Sequence, residues 1–304
     1  MLFSTRPMLV CAALSLGLGS VGYCDAGEAR VRPDQVAHTL SLRSAAAIIQ
    51  DEETGEILYG KNASAVTPIA SITKLMTAMV VLDAGLDMNE TITISSEDMD
   101  ALRGTHSRLK PGASLSRDEL LRVALMASEN RAAAALGRTT YPGGIEAFTR
   151  AMNLKAQMLG MNGSRFEDAT GLSSANVSSA EDLVKLVRAA HQYDLIRSYT
   201  TMTGHELHVA GRPLAYHNTN RLVANGSWNI GLSKTGFTND AGRCLVLQAR
   251  LAERQVIIVL LDSWGKLTRI ADANRVRAWL EPSAKPQSSG VHKAAQRGHR
   301  SAAA

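Results

Sequence analysis

Away from its ends, the chain has an almost wholly apolar run at residues 75–82, Leu-Met-Thr-Ala-Met-Val-Val-Leu. The turn-forming Val66-Thr67-Pro68 stands before this run and Asp83-Ala84-Gly85 after it, so the pattern predicts a buried helix with proline near its start and glycine at its end. Residues 45–50 and 56–59 read as two strands joined by a turn at 51–55, with Gly55 at its end. Thr91-Ile92-Thr93-Ile94 alternates like a short strand. Ser116 and Glu119 have the spacing of a capping box and open a helix over 118–127. A second helix starts at Arg131 and stops at Tyr141-Pro142-Gly143-Gly144. Residues 145–159 read as a third helix and 160–179 as a long loop. Ser178 with Glu181 then caps a helix that runs to Tyr193. Strands and turns fill 200–233. Two strong strands follow at 244–251 and 256–262, turned at Ala252-Glu253-Arg254, and a helix over 271–280 closes the series. Strands at both ends with helices between them predict an α/β chain of the α+β type, its antiparallel sheet assembled from both ends of the sequence.

The ends read differently. Residues 1–26 look like a secretory leader: Arg6 is the basic start, 8–21 is apolar but short for a bilayer span, and Cys24-Asp25-Ala26 is a small-x-small cleavage site. An uncleaved anchor is the alternative. Residues 27–39 read as a linker, 40–282 as the folded body, and 283–304 as a disordered basic tail. The net charge is +5, but Lys285, Lys293, Arg297 and Arg300 all lie in that tail, so the body is close to neutral. The basic balance therefore gives no nucleic-acid face. The tail shows no amphipathic pattern, so no stable membrane anchor is expected there. Of the three cysteines, Cys11 and Cys24 would leave with the leader. Cys244 would then be a packed core thiol without a partner.

Candidate chemistry begins at Ser71-Ile72-Thr73-Lys74. The three-residue spacing places a hydroxyl nucleophile and an amine on one face of a helical turn. The amine is a useful base only if burial, a second cation or the helix terminus lowers its pKa. Alone this spacing is common, and Ser263-Trp264-Gly265-Lys266 repeats it after a strand. Ser71 gains weight from company: Ser128-Glu129-Asn130 between two helices, then Lys234-Thr235-Gly236 in a strand context. Ser174-Ala175-Asn176 and Ser227-Trp228-Asn229 match the middle pattern without that inter-helical setting. The order S-x-x-K, S-x-N, K-T-G is that of serine acyl-enzymes handling penicillin or D-alanyl peptides. His205 and His208 lack the H-E-x-x-H metal pattern, and no G-x-S-x-G elbow is present, so neither a metal nor a Ser-His-Asp triad is expected. Glu167 and Asp168 read as solvated loop acids; a deacylating carboxylate at that place would point to a β-lactamase instead.

With these motifs and their surroundings, including Gly171-Leu172 and His217-Asn218-Thr219-Asn220, residues 40–282 resemble the low-molecular-mass penicillin-binding proteins, the D-alanyl-D-alanine carboxypeptidases and endopeptidases of bacterial cell walls. The resemblance implies a β-lactamase/transpeptidase-like fold: a five-stranded antiparallel sheet flanked by helices, with an all-helical part and a cleft where the motifs meet. It implies Ser71 as nucleophile, Lys74 as base, Lys234 as the cation keeping Lys74 neutral, Ser128 as proton relay and Asn130 as orienting amide. Thr235, Gly236 and Phe237 would bind substrate, with the backbone N–H groups of Ser71 and Phe237 as oxyanion hole. No cofactor is implied. The partners would be peptidoglycan stem peptides and, as covalent inhibitors, β-lactams, in the periplasm. Phe237 stands where the carboxypeptidases usually place histidine, and the 22 residues after Pro282 leave no room for the carboxypeptidases' further β-rich domain and anchor. Both features point to the endopeptidase branch, with carboxypeptidase, β-lactamase and a silent wall-binding protein as alternatives.

Overall fold

A computed structural model describes residues 40–281, so the leader, the linker and the tail lie outside the described residues. In chain order, β1 (Ala46–Asp51) and β2 (Ile57–Lys61) form a hairpin, and β3 (Thr67–Pro68) is a two-residue bridge. A 3-10 turn at Ala70–Ile72 runs directly into α1 (Thr73–Asp83). β4 (Thr91–Thr93) pairs with β5 (Ser114–Ser116), which leads into α2 (Arg117–Met126), α3 (Asn130–Thr140) and α4 (Gly144–Met158). β6 (Val177–Ser178) pairs back on β3, followed by α5 (Ala180–Ala190) and α6 (Asp194–Thr201). β7 (Gly204–Val209) and β8 (Arg212–His217) form a separate hairpin. β9 (Asn229–Thr238), β10 (Gly242–Leu251), β11 (Arg254–Ser263) and α7 (Thr268–Leu280) complete the chain.

The main sheet has five antiparallel strands in the order β2-β1-β11-β10-β9. β1 lies against β11 with Ala46 opposite Leu261 and Asp51 opposite Val256, so the two ends of the body close one sheet, as the strand pattern predicts. β10 and β11 read as unbroken apolar runs because both faces are covered. Cys244, Val246, Ile257, Val259 and Leu261 join the core beneath the helices α1–α5. The residues between them, Leu245, Leu247, Ile258 and Leu260, join a second core with Ala273 and Val276 of α7. α1 is buried from residue 73 to 81: Leu75, Met76, Ala78, Met79, Val80 and Val81 join the first core, while the buried Thr73, Lys74 and Thr77 turn to polar partners. No helix among the described residues is long and apolar enough to cross a membrane.

Local signals succeeded where the competing contacts are also local. The Ser116–Glu119 capping box forms: the Ser116 side chain accepts the Glu119 N–H, and the Glu119 carboxylate accepts the Ser116 N–H. Three expectations need correction. Ser179, not Ser178, caps α5, accepting the Asp182 N–H, because Ser178 is drawn into the bridge with Thr67. α5 stops at Ala190, short of the expected Tyr193, and α6 (Asp194–Thr201) follows, a helix for which the pattern gave no expectation. Pro68 lies in β3, so the helix begins only after the 3-10 turn that carries Ser71.

Candidate active site

The nucleophile's turn is tightly confined. Ala70, just before Ser71, has φ +48, a left-handed conformation that costs a non-glycine residue. Two glycines press on this peptide from either side. A Cβ on Gly171, itself at φ +81, would stand 2.0 Å from the Ala70 oxygen. One on Gly236 would stand 2.8 Å from the Ile69 oxygen and 3.2 Å from the Ser71 nitrogen. The edge strand β9 therefore lies directly against Ser71 because position 236 has no side chain.

One turn on, Lys74 points back at Ser71. Its Nζ lies 2.8 Å from Ser71 Oγ, 2.8 Å from Asn130 Oδ1 and 2.7 Å from the Thr170 carbonyl oxygen. The side chain is 1% exposed, and among the described residues no carboxylate lies within ion-pair distance. Burial pushes its pKa down to about 7, against an upward pull from Asp168 and Glu129. A neutral amine suits this site. Its two N–H groups serve the Asn130 and Thr170 oxygens, and its lone pair faces the Ser71 hydroxyl.

Ser128 and Asn130 come from the connection between α2 and α3. Ala127 ends α2 by donating its N–H to the Val123 oxygen, and the Glu129 side chain caps α3 by accepting the Arg131 N–H. Between these two fixed ends Ser128 is left at φ +60. Lys234 Nζ donates to Ser128 Oγ at 2.8 Å and to the Thr235 carbonyl oxygen at 3.1 Å. Burial drives the Lys234 pKa well below that of a free lysine, with Lys74 and Arg269 adding positive potential. Desolvation is thus the first cause keeping Lys74 neutral; the neighbouring cation expected for that task is itself a lysine depressed by burial.

Along β9, Thr235 is buried with its Oγ1 2.6 Å from Thr219 Oγ1. Phe237 is half exposed, and the Arg243 guanidinium lies 4.2 Å from its ring centroid. Arg269, from α7, donates through Nη1 to the Gly236 and Cys244 oxygens at 2.7 and 3.1 Å, while its buried Nε has no partner. All eight sequence-chosen residues thus lie where the α2–α3 connection, the Ser71 turn and β9 meet. Four residues around this junction escaped the sequence reading: Thr105, which accepts the Asn130 Nδ2–H at 3.2 Å, together with Thr170, Thr219 and Arg269. Only Thr219 had a signal, inside His217-Asn218-Thr219-Asn220.

The reading of both loop acids as solvated is half overturned. Glu167 is exposed and pairs with Arg165. Asp168, by contrast, folds the loop under Ser71, its carboxylate accepting the N–H groups of Thr170, Gly171 and Ser173 and the Thr170 hydroxyl. An aspartate three residues before a glycine at positive φ is the available signal for such a turn. Ser263 is buried elsewhere, hydrogen-bonded to Ser44, and Lys266 is exposed, so the second S-x-x-K has no site. Asn176 is buried against Thr73 and Asp168, and Ser227 bonds Asn225 and Arg277, which removes the two other S-x-N matches. His205 and His208 lie in β7. Among the described residues no group of three or more His, Cys, Asp or Glu side chains is placed to hold a metal ion.

Comparison with known proteins converges on one group. A family model described as D-alanyl-D-alanine carboxypeptidase, Peptidase_S11, matches residues 33–265. A D-alanyl-D-alanine endopeptidase of Pseudomonas aeruginosa is 49% identical over 244 residues, covering 79% of this chain and 78% of the relative. A D-alanyl-D-alanine endopeptidase of Escherichia coli K12 is 44% identical over 279 residues, covering 91% and 88%. Among solved structures, the Streptomyces K15 DD-transpeptidase superposes with a TM-score of 0.74 at 25% identity, over 80% of this chain and 98% of the other. A D-alanyl-D-alanine carboxypeptidase from Mycobacterium tuberculosis H37Rv gives 0.72 at 27% identity, over 81% and 94%.

Proposed function

Because the chain belongs to the D-alanyl-D-alanine carboxypeptidase family of peptidases, we propose that it hydrolyses D-alanyl crosslinks of peptidoglycan through an acyl-enzyme on Ser71. The observation that carries this is the buried Lys74, without a carboxylate partner, 2.8 Å from the Ser71 oxygen. Ser71 Oγ attacks the D-alanyl carbonyl carbon as its proton passes to Lys74. The tetrahedral oxygen accepts from the backbone N–H groups of Ser71 and Phe237, beside the glycine contact that sets their spacing. The amide C–N bond breaks, and the proton that Lys74 took from Ser71 passes to the leaving amine through Ser128, which Lys234 supports at 2.8 Å, leaving Lys74 neutral again. Water then attacks the ester carbonyl as Lys74 accepts its proton, the acyl C–Oγ bond breaks, and Lys74 returns the proton to the Ser71 oxygen. Asn130 orients Lys74 with its oxygen and keeps its second N–H for a substrate carbonyl. Thr235, on the strand whose Gly236 carbonyl Arg269 holds, takes the substrate's carboxylate or backbone.

The leaving group separates endopeptidase from carboxypeptidase. It is the side-chain amine of a crosslinked diamino acid in the first reaction and free D-alanine in the second. The endopeptidase reading is favoured by the names of the two relatives above 40% identity over most of both chains. The carboxypeptidase reading follows the family's description, since both reactions attack the same carbonyl. A β-lactamase with a deacylating carboxylate in this loop would need that acid free in the site, yet Asp168 is committed to four hydrogen bonds in its own loop and the exposed Glu167 pairs with Arg165. The substrate lies outside the cytoplasmic membrane, so the proposal includes export by residues 1–26 to the periplasm and gives residues 283–304 no catalytic part.

A β-lactam offers Ser71 a strained mimic of the same acyl bond. Intact-mass spectrometry with benzylpenicillin is expected to show one adduct, mapping to the Ser71 peptide and absent from Ser71→Ala. An adduct that persists in Ser71→Ala, or that maps to Ser263, would overturn the assignment. Rapid turnover of a chromogenic cephalosporin in place of a lasting adduct would move the reading to β-lactamase.

A further inference from the structure

Asn130 is useful to Lys74 only in one of its two amide orientations, with oxygen and not nitrogen toward the amine. The loop between β4 and β5 sets that orientation. Asp100 holds the loop: its Oδ1 accepts the N–H groups of Leu102 and Arg103 at 2.8 and 2.9 Å, and its Oδ2 accepts the Thr105 N–H at 2.8 Å. The Thr105 hydroxyl donates to the same Oδ2 at 2.7 Å. An ionised carboxylate only accepts, so the direction of this last bond is fixed and the hydroxyl proton is spent on it. Thr105 Oγ1 is then left with lone pairs alone on its other side. Asn130 meets it at 3.2 Å and must present N–H, which turns its Oδ1 to Lys74 at 2.8 Å.

We infer that Thr105, oriented by Asp100, is a positioning residue for the reaction, fixing the Asn130 amide so that its oxygen faces the Lys74 amine. This rests on the acyl-enzyme reading of Ser71 and adds a group that touches neither substrate nor nucleophile. Asp100 stays ionised in support of it. Burial would raise its pKa, but the hydrogen bonds from Thr105, Arg103 and Leu102 outweigh this and hold it below the usual carboxylate value. Arg103 fastens the same loop to the rest of the cleft, donating through Nε to the Leu172 oxygen at 2.6 Å and pairing with Asp240 beyond the end of β9. The geometry thus runs from a loop carboxylate through one hydroxyl and one amide to the general base.

The test separates the positioning of Asn130 from simple support of the loop. Benzylpenicillin acylation is resolved into its non-covalent binding constant and its acylation rate constant for wild type, Thr105→Val and Thr105→Ser. Valine keeps the shape and the backbone N–H bond to Asp100 but offers Asn130 no acceptor; serine keeps the hydroxyl. Thr105→Val is expected to lower the acylation rate constant by about three- to tenfold, the effect of the lost neutral hydrogen bond to Asn130, with non-covalent binding unchanged, while the lost bond to Asp100 shows separately as a lower melting temperature. Thr105→Ser is expected to stay within about twofold of wild type. Should the valine variant not fold, Thr105→Ala carries the same expectation. An undiminished rate in the variant lacking the hydroxyl, a serine variant as slow as valine, or a loss confined to binding would overturn the inference while leaving the Ser71 acyl-enzyme intact. Absence of any adduct on the wild type would instead overturn the reading on which the inference rests.

Discussion

At the scale of single residues, the chemistry turns on a lysine that is partly free amine at neutral pH and predominantly so above it. Its pKa of about 7 comes first from burial. The sign is direct: below that value Lys74 holds its proton and cannot accept one from Ser71, and above it the base is free. Benzylpenicillin acylation measured across pH is therefore expected to rise to a plateau with a midpoint near 7, the value set by Lys74. A profile that is flat through neutrality, or that rises only near the pKa of a free lysine, would contradict this. The sequence made Ser71, Lys74, Ser128, Asn130 and Lys234 legible because their spacing is a side-chain pattern. It hid Thr170 and Thr105. Thr170 acts through its main-chain carbonyl, and Thr105 acts only after Asp100 has folded its loop, so neither role leaves a pattern of side-chain types.

At the scale of elements, the site depends on how closely β9 approaches the Ser71 turn. Gly236 was legible as part of a motif, but its reason is steric: the nearest atom to an added Cβ is the main-chain oxygen of Ile69, which cannot swing aside. Gly236→Ala is expected to push β9 away from Ser71. A misplacement of about 1 Å at a catalytic centre costs on the order of 100-fold in rate, and overpacking about 1–3 kcal/mol in stability. Acylation kinetics and thermal unfolding measured together check this; wild-type acylation by the variant would mean that the strand tolerates the Cβ. Capping shows where local reading ends. Ser116 had one acid in register and was read correctly. Ser178 and Ser179 each have an acid three residues on, Glu181 and Asp182, and the pairing of Ser178 with Thr67, more than a hundred residues away, decides between them. The break between α5 and α6 was illegible for the same kind of reason, since α6 is held by packing of Ile196 and Tyr199 into the core.

At the scale of the whole molecule, the fold places three distant segments around one cleft. The strands nearest the two ends of the body close the sheet, and the helical part between them delivers the Ser71 turn and the α2–α3 connection to the edge strand β9. This plan was legible because β1, β10 and β11 are apolar runs too short for helices, whereas the strand order follows from pairings that no local pattern encodes. What the cleft does with a full substrate depends on the leaving-group side. The most direct measurement is a digest of purified crosslinked muropeptide dimers and of pentapeptide monomers at equal concentration, followed by mass spectrometry. Wild-type protein is expected to convert dimers to monomers faster than it releases D-alanine from the pentapeptide, and Ser71→Ala to do neither. Faster release of D-alanine would contradict the endopeptidase reading in favour of the carboxypeptidase, and dimer cleavage that survives in Ser71→Ala would contradict the acyl-enzyme itself.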